Sequence, residues 1–204
     1  ADLPPEPGAI IRTQPMPYTP SVPDLVEGGA LPADAQRIMY RSTGGAGGPV
    51  AVTGTFLQPK APWTGPGPRP LAVVAPGTQG QGDHCAPSRS MEVGLAVQTE
   101  PASLAAGYAI MDALTMVAEG FAVVVTDYEG LGTPGHHPYI NRESQGRSTL
   151  DAARAALRIP DTDLAPGSKV VISGYSQGGG AAAAAGELQP GYAPDVNLVG
   201  IAAG

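Results

Sequence analysis

A serine lies between two glycines in the stretch Gly174-Tyr175-Ser176-Gln177-Gly178, where an apolar run gives way to small residues. The run "VVIS" before it predicts a strand and the run "GGGAAAAAG" after it predicts a helix, so the serine falls on a sharp strand-to-helix turn. Such a turn strains the serine backbone, and the two glycines avoid collisions with the strand and the helix. Ser176 is therefore a candidate nucleophile, and the backbone N–H of Gln177 is a candidate donor to its oxyanion.

The same turn has two alternative interpretations. In the first, Ser176 only caps the helix, since G-x-S-x-G by itself is a common string. In the second, the turn binds phosphate, but the chain has no G-x-x-x-x-G-K-[ST] pattern and no lysine before the serine. The agreement of strand, helix and element order favours the nucleophile.

A second oxyanion donor is expected from the loop "PGTQGQGDHCAPS", residues 76–88, which follows an apolar strand. Its glycines free the backbone, and Thr78 and Gln79 offer N–H groups near the end of the strand. The sequence does not separate these two residues. The alternative is an ordinary flexible loop.

The loop "TDYEGLGTPGHHPYI", residues 126–140, lies at the carboxyl edge of the predicted sheet, where open α/β folds build their sites. Asp127, Tyr128 and Glu129, together with Tyr175, are candidates to support the site or to form a wall of its pocket. The two acids could equally be structural, bonded to the loop backbone, and this is the favoured interpretation.

A serine nucleophile needs a base and an orienting carboxylate, which in this arrangement follow it in the order Ser, Asp or Glu, His. All three histidines, His84, His136 and His137, precede Ser176. Glu187 and Asp195 come too early for the acid. We therefore expect the base and the acid to come from residues outside this sequence.

Continuously apolar runs predict buried strands, and amphipathic or small-residue stretches between them predict helices. Two antiparallel strands come first, then strands alternate with helices, which favours a mostly parallel α/β sheet with helices on both faces. The strands are predicted at 35–42, 50–59, 70–76, 120–127, 168–174 and 197–204, and the helices at 106–120, 148–160 and 177–190. The second helix has a capping-box-like start at Ser148 and Asp151, and the third is expected to stop before Pro190.

Residues 1–34 are proline-rich and without period, which predicts an extended surface arm before one α/β domain at residues 35–204. Only six strands of a sheet of about eight are accounted for. We therefore expect an N-terminal part of a larger protein that is nicked, processed or truncated, completed by a second part or second chain.

Charge and composition limit the classes of molecule that the protein is expected to bind. The net charge of −7, without a Lys/Arg cluster, argues against nucleic acid, and no apolar stretch is long enough to span a bilayer. The first residues lack Met and a leader, as in a mature secreted protein, although a trimmed chain would begin in the same way. Cys85 is the only cysteine, which in a secreted protein suggests a partner outside this sequence. No metal site or cofactor is predicted.

Four motifs in order resemble the secretory lipase family of Candida antarctica lipase A and related actinobacterial lipases: "PGTQGQGDHCAPS", "VVVTDYEGLGTPGHHPY", "STLDAARAAL" and "ISGYSQGG". The resemblance covers residues 31–204 and implies an α/β-hydrolase fold with a helical cap inserted after the last strand of this sequence. It implies hydrolysis of carboxylic esters, often triacylglycerols, with Ser176 as nucleophile and Thr78 or Gln79 at the oxyanion site. It also implies a disulfide from Cys85 to the cap and a catalytic Asp and His in a C-terminal half.

The sequence thus predicts a secreted serine esterase or triacylglycerol lipase that acts on ester or lipid substrates through an acyl-enzyme. One alternative is acyltransfer or peptidase chemistry on the same scaffold, because a fold does not fix the bond cleaved. Another is a non-catalytic binding chain that keeps the fold and lacks the triad.

Overall fold

The computed structural model describes residues 3–16, 32–93, 95–99, 102–106 and 108–204. In chain order its elements are β1 (Ile10–Pro15), β2 (Ala33–Thr43), β3 (Pro49–Pro59), β4 (Leu71–Ala75), a 3-10 helix (Asp83–Cys85), α1 (Pro87–Val93), β5 (Leu95–Thr99), β6 (Ala102–Ala106), α2 (Tyr108–Ala118), β7 (Ala122–Thr126), α3 (Arg142–Ala156), β8 (Val170–Gly174), α4 (Gln177–Tyr192) and β9 (Leu198–Ala203). From β4 onward strands alternate with helices, except that β5 and β6 follow each other directly.

Seven of these strands form one sheet in the order β1-β2-β3-β7-β4-β8-β9. The pairs from β1 to β7 are antiparallel, whereas β7, β4, β8 and β9 run parallel. Strands β5 and β6 pair separately as an antiparallel two-stranded sheet. The six predicted strands and the α/β class are confirmed, and the parallel strands bring their carboxyl ends to one edge.

The core has two layers because helices cover both faces of the sheet. On one face, α3 and α4 pack on alternate strand residues such as Val73 and Val124. On the other, α1 and α2 pack on the residues between them, such as Val74 and Val125. All five residues of β4 and of β7 are therefore buried, which explains why these strands are apolar without alternation.

The proline-rich arm contains an element that the sequence does not reveal. Residues 10–15 of the predicted arm form β1, which pairs antiparallel with β2. Its last four residues are exposed, so it has no apolar period. The predicted boundary at residue 34 falls inside β2, and residues 17–31 of the arm lie outside the described residues.

Two helix ends differ from prediction. Helix α3 begins six residues before Ser148, and its cap is Asn141, whose Oδ1 accepts from the Ser144 N–H at 2.9 Å. Ser148 and Asp151 are buried within the helix, so the predicted capping box is wrong. Helix α4 continues past Pro190 to Tyr192, because a proline in the last turn removes only one bond of the helical ladder.

Candidate active site

Ser176 lies at the turn between β8 and α4, at the carboxyl edge of the parallel strands. Its φ of 59° and ψ of −120° are outside the helical region, and non-glycine residues rarely have a positive φ. The serine is exposed, and no described residue forms a hydrogen bond with its Oγ. The backbone is held, since the Ser176 N–H donates to the Gly204 carbonyl at 2.9 Å. The strained turn predicted from the glycine spacing is therefore present.

The glycines on either side of the serine allow three backbone segments to meet. A Cβ at Gly174 would overlap the Gly178 carbonyl, and a Cβ at Gly178 would overlap the carbonyl of Ala75 at the end of β4. A Cβ at Gly179 would overlap the carbonyl of Gly204. The first turn of α4 therefore packs directly on the ends of β4 and β9, a contact that any side chain would prevent.

A pocket of about 400 Å³ opens beside Ser176. Most of its surface is apolar, and one charged group, Asp112, stands at its wall. The lining consists of Val74, Ala75, Pro76, Gly77, Thr78, Ala109, Met111, Asp112, Tyr175 and Ser176. A pocket of this size and polarity accommodates an uncharged, mostly hydrocarbon group next to the serine hydroxyl.

The two candidates for the second oxyanion donor differ in position. Thr78 lines the pocket with Ser176, whereas Gln79 is not part of this lining. The Gln79 side chain folds back and donates to the Gly77 carbonyl at 3.2 Å. Gly77 directly precedes Thr78, and a Cβ there would stand 3.9 Å from the Cβ of Ser176. The backbone of the segment that carries Thr78 therefore lies close to Ser176.

Asp127 is fully buried, and its carboxylate accepts three hydrogen bonds within the fold. It accepts from the Ser88 N–H at 2.7 Å, from the Ser88 hydroxyl at 2.5 Å and from the Thr53 hydroxyl at 2.7 Å. Burial raises the pKa of the Asp127 carboxyl, and the bonds from Ser88 and Thr53 oppose that rise. These contacts tie α1 to β3.

Glu129 is half-buried and holds the β2–β3 hairpin loop. Its carboxylate accepts from the Gly45 N–H at 3.0 Å and from the Ser144 hydroxyl at the start of α3. It does not line the pocket next to Ser176. Tyr175, by contrast, is 75% exposed and lines that pocket.

Three residues of the loop 127–141 reach the segments around Ser176. The Tyr128 hydroxyl donates to the Pro76 carbonyl at 2.9 Å, and the Tyr139 hydroxyl lies 3.0 Å from the Thr78 hydroxyl. His137 Nε2 lies 2.9 Å from the Gln177 side-chain nitrogen. The sequence makes Tyr128 a candidate near the site but does not indicate His137 or Tyr139 there. The run "GHHPY" in a loop at the carboxyl edge is the signal that could have indicated them.

Cys85 ends the 3-10 helix and is half-buried, with no disulfide among the described residues. In the same part of the chain, no group of three or more His, Cys, Asp or Glu side chains is arranged to hold a metal ion. None of the helices described is long and apolar enough to cross a membrane.

Known proteins with similar sequences are lipases. The family model "Secretory lipase" matches residues 95–204. "Lipase 6" of Candida albicans is 31% identical over 205 residues, which cover 98% of this chain and 40% of that protein. "Probable inactive lipase MT1628" of Mycobacterium tuberculosis is 32% identical over 179 residues, covering 85% of this chain and 37% of that protein.

The fold also has a counterpart among solved structures. The closed state of Candida antarctica lipase A superposes with a TM-score of 0.76 at 25% identity, covering 96% of this chain and 41% of that one. The chain thus spans about two-fifths of the length of these relatives. Its sheet corresponds to the α/β-hydrolase sheet of that lipase.

Proposed function

The chain belongs to the secretory lipase family, and we propose that it supplies the nucleophile and the oxyanion site of a secreted serine ester hydrolase. The observation that carries this proposal is Ser176 itself. It has a positive φ, an exposed hydroxyl without a partner among the described residues, and a place beside an apolar pocket at the start of a helix. This is the geometry of a nucleophile elbow.

The reaction proceeds through an acyl-enzyme. Ser176 Oγ attacks the ester carbonyl while its proton passes to a histidine base, and the C=O π pair moves to the oxygen. The backbone N–H groups of Gln177 and of Thr78 or Gln79 bind that oxyanion, with Thr78 favoured by its place in the pocket lining. The alcohol leaves with the proton from the histidine. The same histidine then takes a proton from water as the water attacks the acyl-serine, and it gives that proton to Ser176 Oγ as the acyl–oxygen bond breaks and the acid leaves.

The histidine and its orienting carboxylate come, in this proposal, from residues of the complete protein beyond Gly204. In the α/β-hydrolase order both follow the nucleophile, and all three histidines of this sequence precede it. A cysteine of the same additional region would pair with Cys85. Alkylation of the complete protein without reductant should leave Cys85 unmodified, and a carbamidomethyl group on Cys85 would disprove that disulfide.

The substrate is a neutral ester with an apolar acyl or alcohol group, in keeping with a lipase. The pocket beside Ser176 is mostly apolar, and the Asp112 carboxylate at its wall disfavours an anionic group. Extracellular localisation follows from membership of a secretory family.

Covalent labelling tests the proposal directly. The complete protein is treated with a fluorophosphonate, its intact mass is measured, and hydrolysis of a p-nitrophenyl ester is followed. We expect one phosphonyl adduct on Ser176, loss of turnover on labelling, and neither adduct nor turnover in Ser176→Ala. Labelling without ester hydrolysis would instead indicate acyltransferase or peptidase chemistry.

A non-catalytic chain is the second candidate, favoured by one observation. The M. tuberculosis relative, 32% identical, is named "Probable inactive lipase MT1628", so membership of the family does not by itself guarantee turnover. In that case the pocket beside Ser176 would bind an apolar ligand without reacting. Absence of any adduct on the complete wild-type protein would establish this candidate and exclude the hydrolase.

A further inference from the structure

The loop between β7 and α3 contacts both segments of the proposed oxyanion site. Tyr128 bonds to the Pro76 carbonyl and Tyr139 to the Thr78 hydroxyl, on the segment after β4. His137 bonds to the side chain of Gln177, at the start of α4. One loop therefore connects two segments that are about a hundred residues apart in sequence.

The tautomer of the His137 ring follows from the two hydrogen-bond partners of its nitrogens. Its Nδ1 lies 2.8 Å from the Glu129 carbonyl oxygen, which can only accept, so Nδ1 carries a proton. In the neutral ring Nε2 then has a free lone pair, and it accepts a hydrogen bond from the Gln177 amide nitrogen. The bonds form a chain in one direction, from the Gln177 side chain through the imidazole to the Glu129 backbone.

The two side chains that form this hydrogen bond are buried. His137 and Gln177 are only 5% and 7% exposed, and the imidazole stacks on the ring of Tyr128 at 5.9 Å between centroids. Solvent cannot easily replace the imidazole as the acceptor for the Gln177 amide. Tyr128 has a φ of 67°, so the loop is held in a conformation that non-glycine residues rarely adopt.

We propose that His137 is a positioning residue that fixes the backbone N–H of Gln177 toward the oxyanion, through the bond between the two side chains. The inference rests on the proposed function, because it assigns His137 a task in that same reaction. Since Gln177 is the first residue of α4, its side-chain bond limits rotation of the peptide unit that carries the N–H.

The test is a double-mutant cycle in the complete protein with a p-nitrophenyl ester. Active sites are counted by fluorophosphonate titration, so that unfolded molecules do not affect kcat. We expect His137→Phe and Gln177→Met each to lower kcat by roughly 10- to 100-fold, below the roughly 10²- to 10³-fold lost when an oxyanion donor is removed outright. KM should change much less. The double variant should lose no more than the more impaired single variant.

Two further variants separate positioning from structural support. His137→Gln retains an amide oxygen that can accept from Gln177, so it should recover much of the kcat lost in His137→Phe. His136→Phe alters the neighbouring exposed histidine and should keep the wild-type kcat.

Either multiplicative losses in the double variant or an unchanged kcat in His137→Phe would overturn the inference. If the wild type is labelled by the fluorophosphonate and the variants give either of these results, only this inference is overturned. A wild type that takes up no fluorophosphonate would overturn the proposed function as well.

Discussion

The two ends of helix α4 differ in how their polar groups are used. At the N-terminal end, the Ser176 hydroxyl is exposed and without a partner among the described residues. At the C-terminal end, the Tyr192 hydroxyl donates to Asp151 at 2.7 Å, and Asp151 also accepts from the Ser42 hydroxyl at 2.8 Å. Arg154 joins this network and bonds to the Tyr192 carbonyl at 2.9 Å.

The N-terminal end of α4 is therefore suited to chemistry, and its C-terminal end anchors the helix to the fold. A hydroxyl that serves no neighbour can react with a substrate, and its removal costs the fold little. A buried carboxylate with several donors cannot react without leaving those donors unpaired. The two ends should therefore respond to mutation in opposite ways.

The largest effect is expected at the N-terminal end. Ser176→Ala should lower kcat/KM of the complete protein by at least roughly 10⁴-fold, because it removes the proposed nucleophile. The free energy of unfolding should stay within about 0.5 kcal/mol of wild type, since no described contact of the hydroxyl is removed. Ester turnover and urea unfolding measure the two quantities, and a large loss of stability would contradict the comparison.

The opposite response is expected at the C-terminal end. Asp151→Ala should lower the free energy of unfolding by about 2–4 kcal/mol, because the buried hydroxyl of Ser42 and the half-buried hydroxyl of Tyr192 lose this acceptor. The kcat per titrated active site should not change. Asp195→Ala is the matched control: Asp195 pairs with the same Arg154 but its side chain is 52% exposed, so its loss should cost less than about 1 kcal/mol.

Gly178→Ala should lower both stability and activity, because this residue packs against β4 and also belongs to the turn that carries Ser176. Its added methyl group would overlap the Ala75 carbonyl and should cost about 1–3 kcal/mol of stability. It should also lower kcat, since the displaced turn carries Ser176 and Gln177. Gly180→Ala, two residues along, meets only the Gln145 amide at 3.4 Å and should be neutral or stabilising by up to about 1 kcal/mol. Equal effects of the two alanines would refute the packing argument.

The smallest effect concerns the pH dependence of Asp127, a buried carboxyl near the reactive edge that is fully engaged in the fold. Burial raises its folded pKa above the ordinary 3.8, so the folded state binds the proton more tightly than the unfolded state. This contribution to stability is complete below the unfolded pKa and is lost as the pH rises through the folded pKa. Urea unfolding should show Asp127→Asn gaining stability relative to wild type across that window. A difference independent of pH would show that burial does not govern this carboxyl.

The sequence predicts elements best where burial dictates residue type. Strands such as β4 and β7 are apolar at every position because both faces are covered. The start of α3 was missed because "RESQGR" carries no apolar period, although Ser144 and Gln145 are buried. Strand β1 also lacks an apolar period, but in this case because most of its residues are exposed.

The site was predictable only where it is local in sequence. The glycine spacing around Ser176 predicts its strained turn, which depends on neighbouring residues and one strand. The bond between His137 and Gln177 joins residues forty positions apart, and no pattern within either segment indicates it. The network of Asp151 with Ser42 is longer in range still. Such contacts follow from the packing of the whole sheet.

The glycines of α4 also bear on the order of folding. Gly178, Gly179 and Gly180 each disfavour an isolated helix by about 1 kcal/mol relative to alanine, whereas the five alanines after them favour one. The helix should therefore nucleate in the alanines and extend over the glycines only once β4 and β9 offer their backbone as a packing surface. The turn that exposes Ser176 would form late. A partly folded chain would then carry no reactive serine.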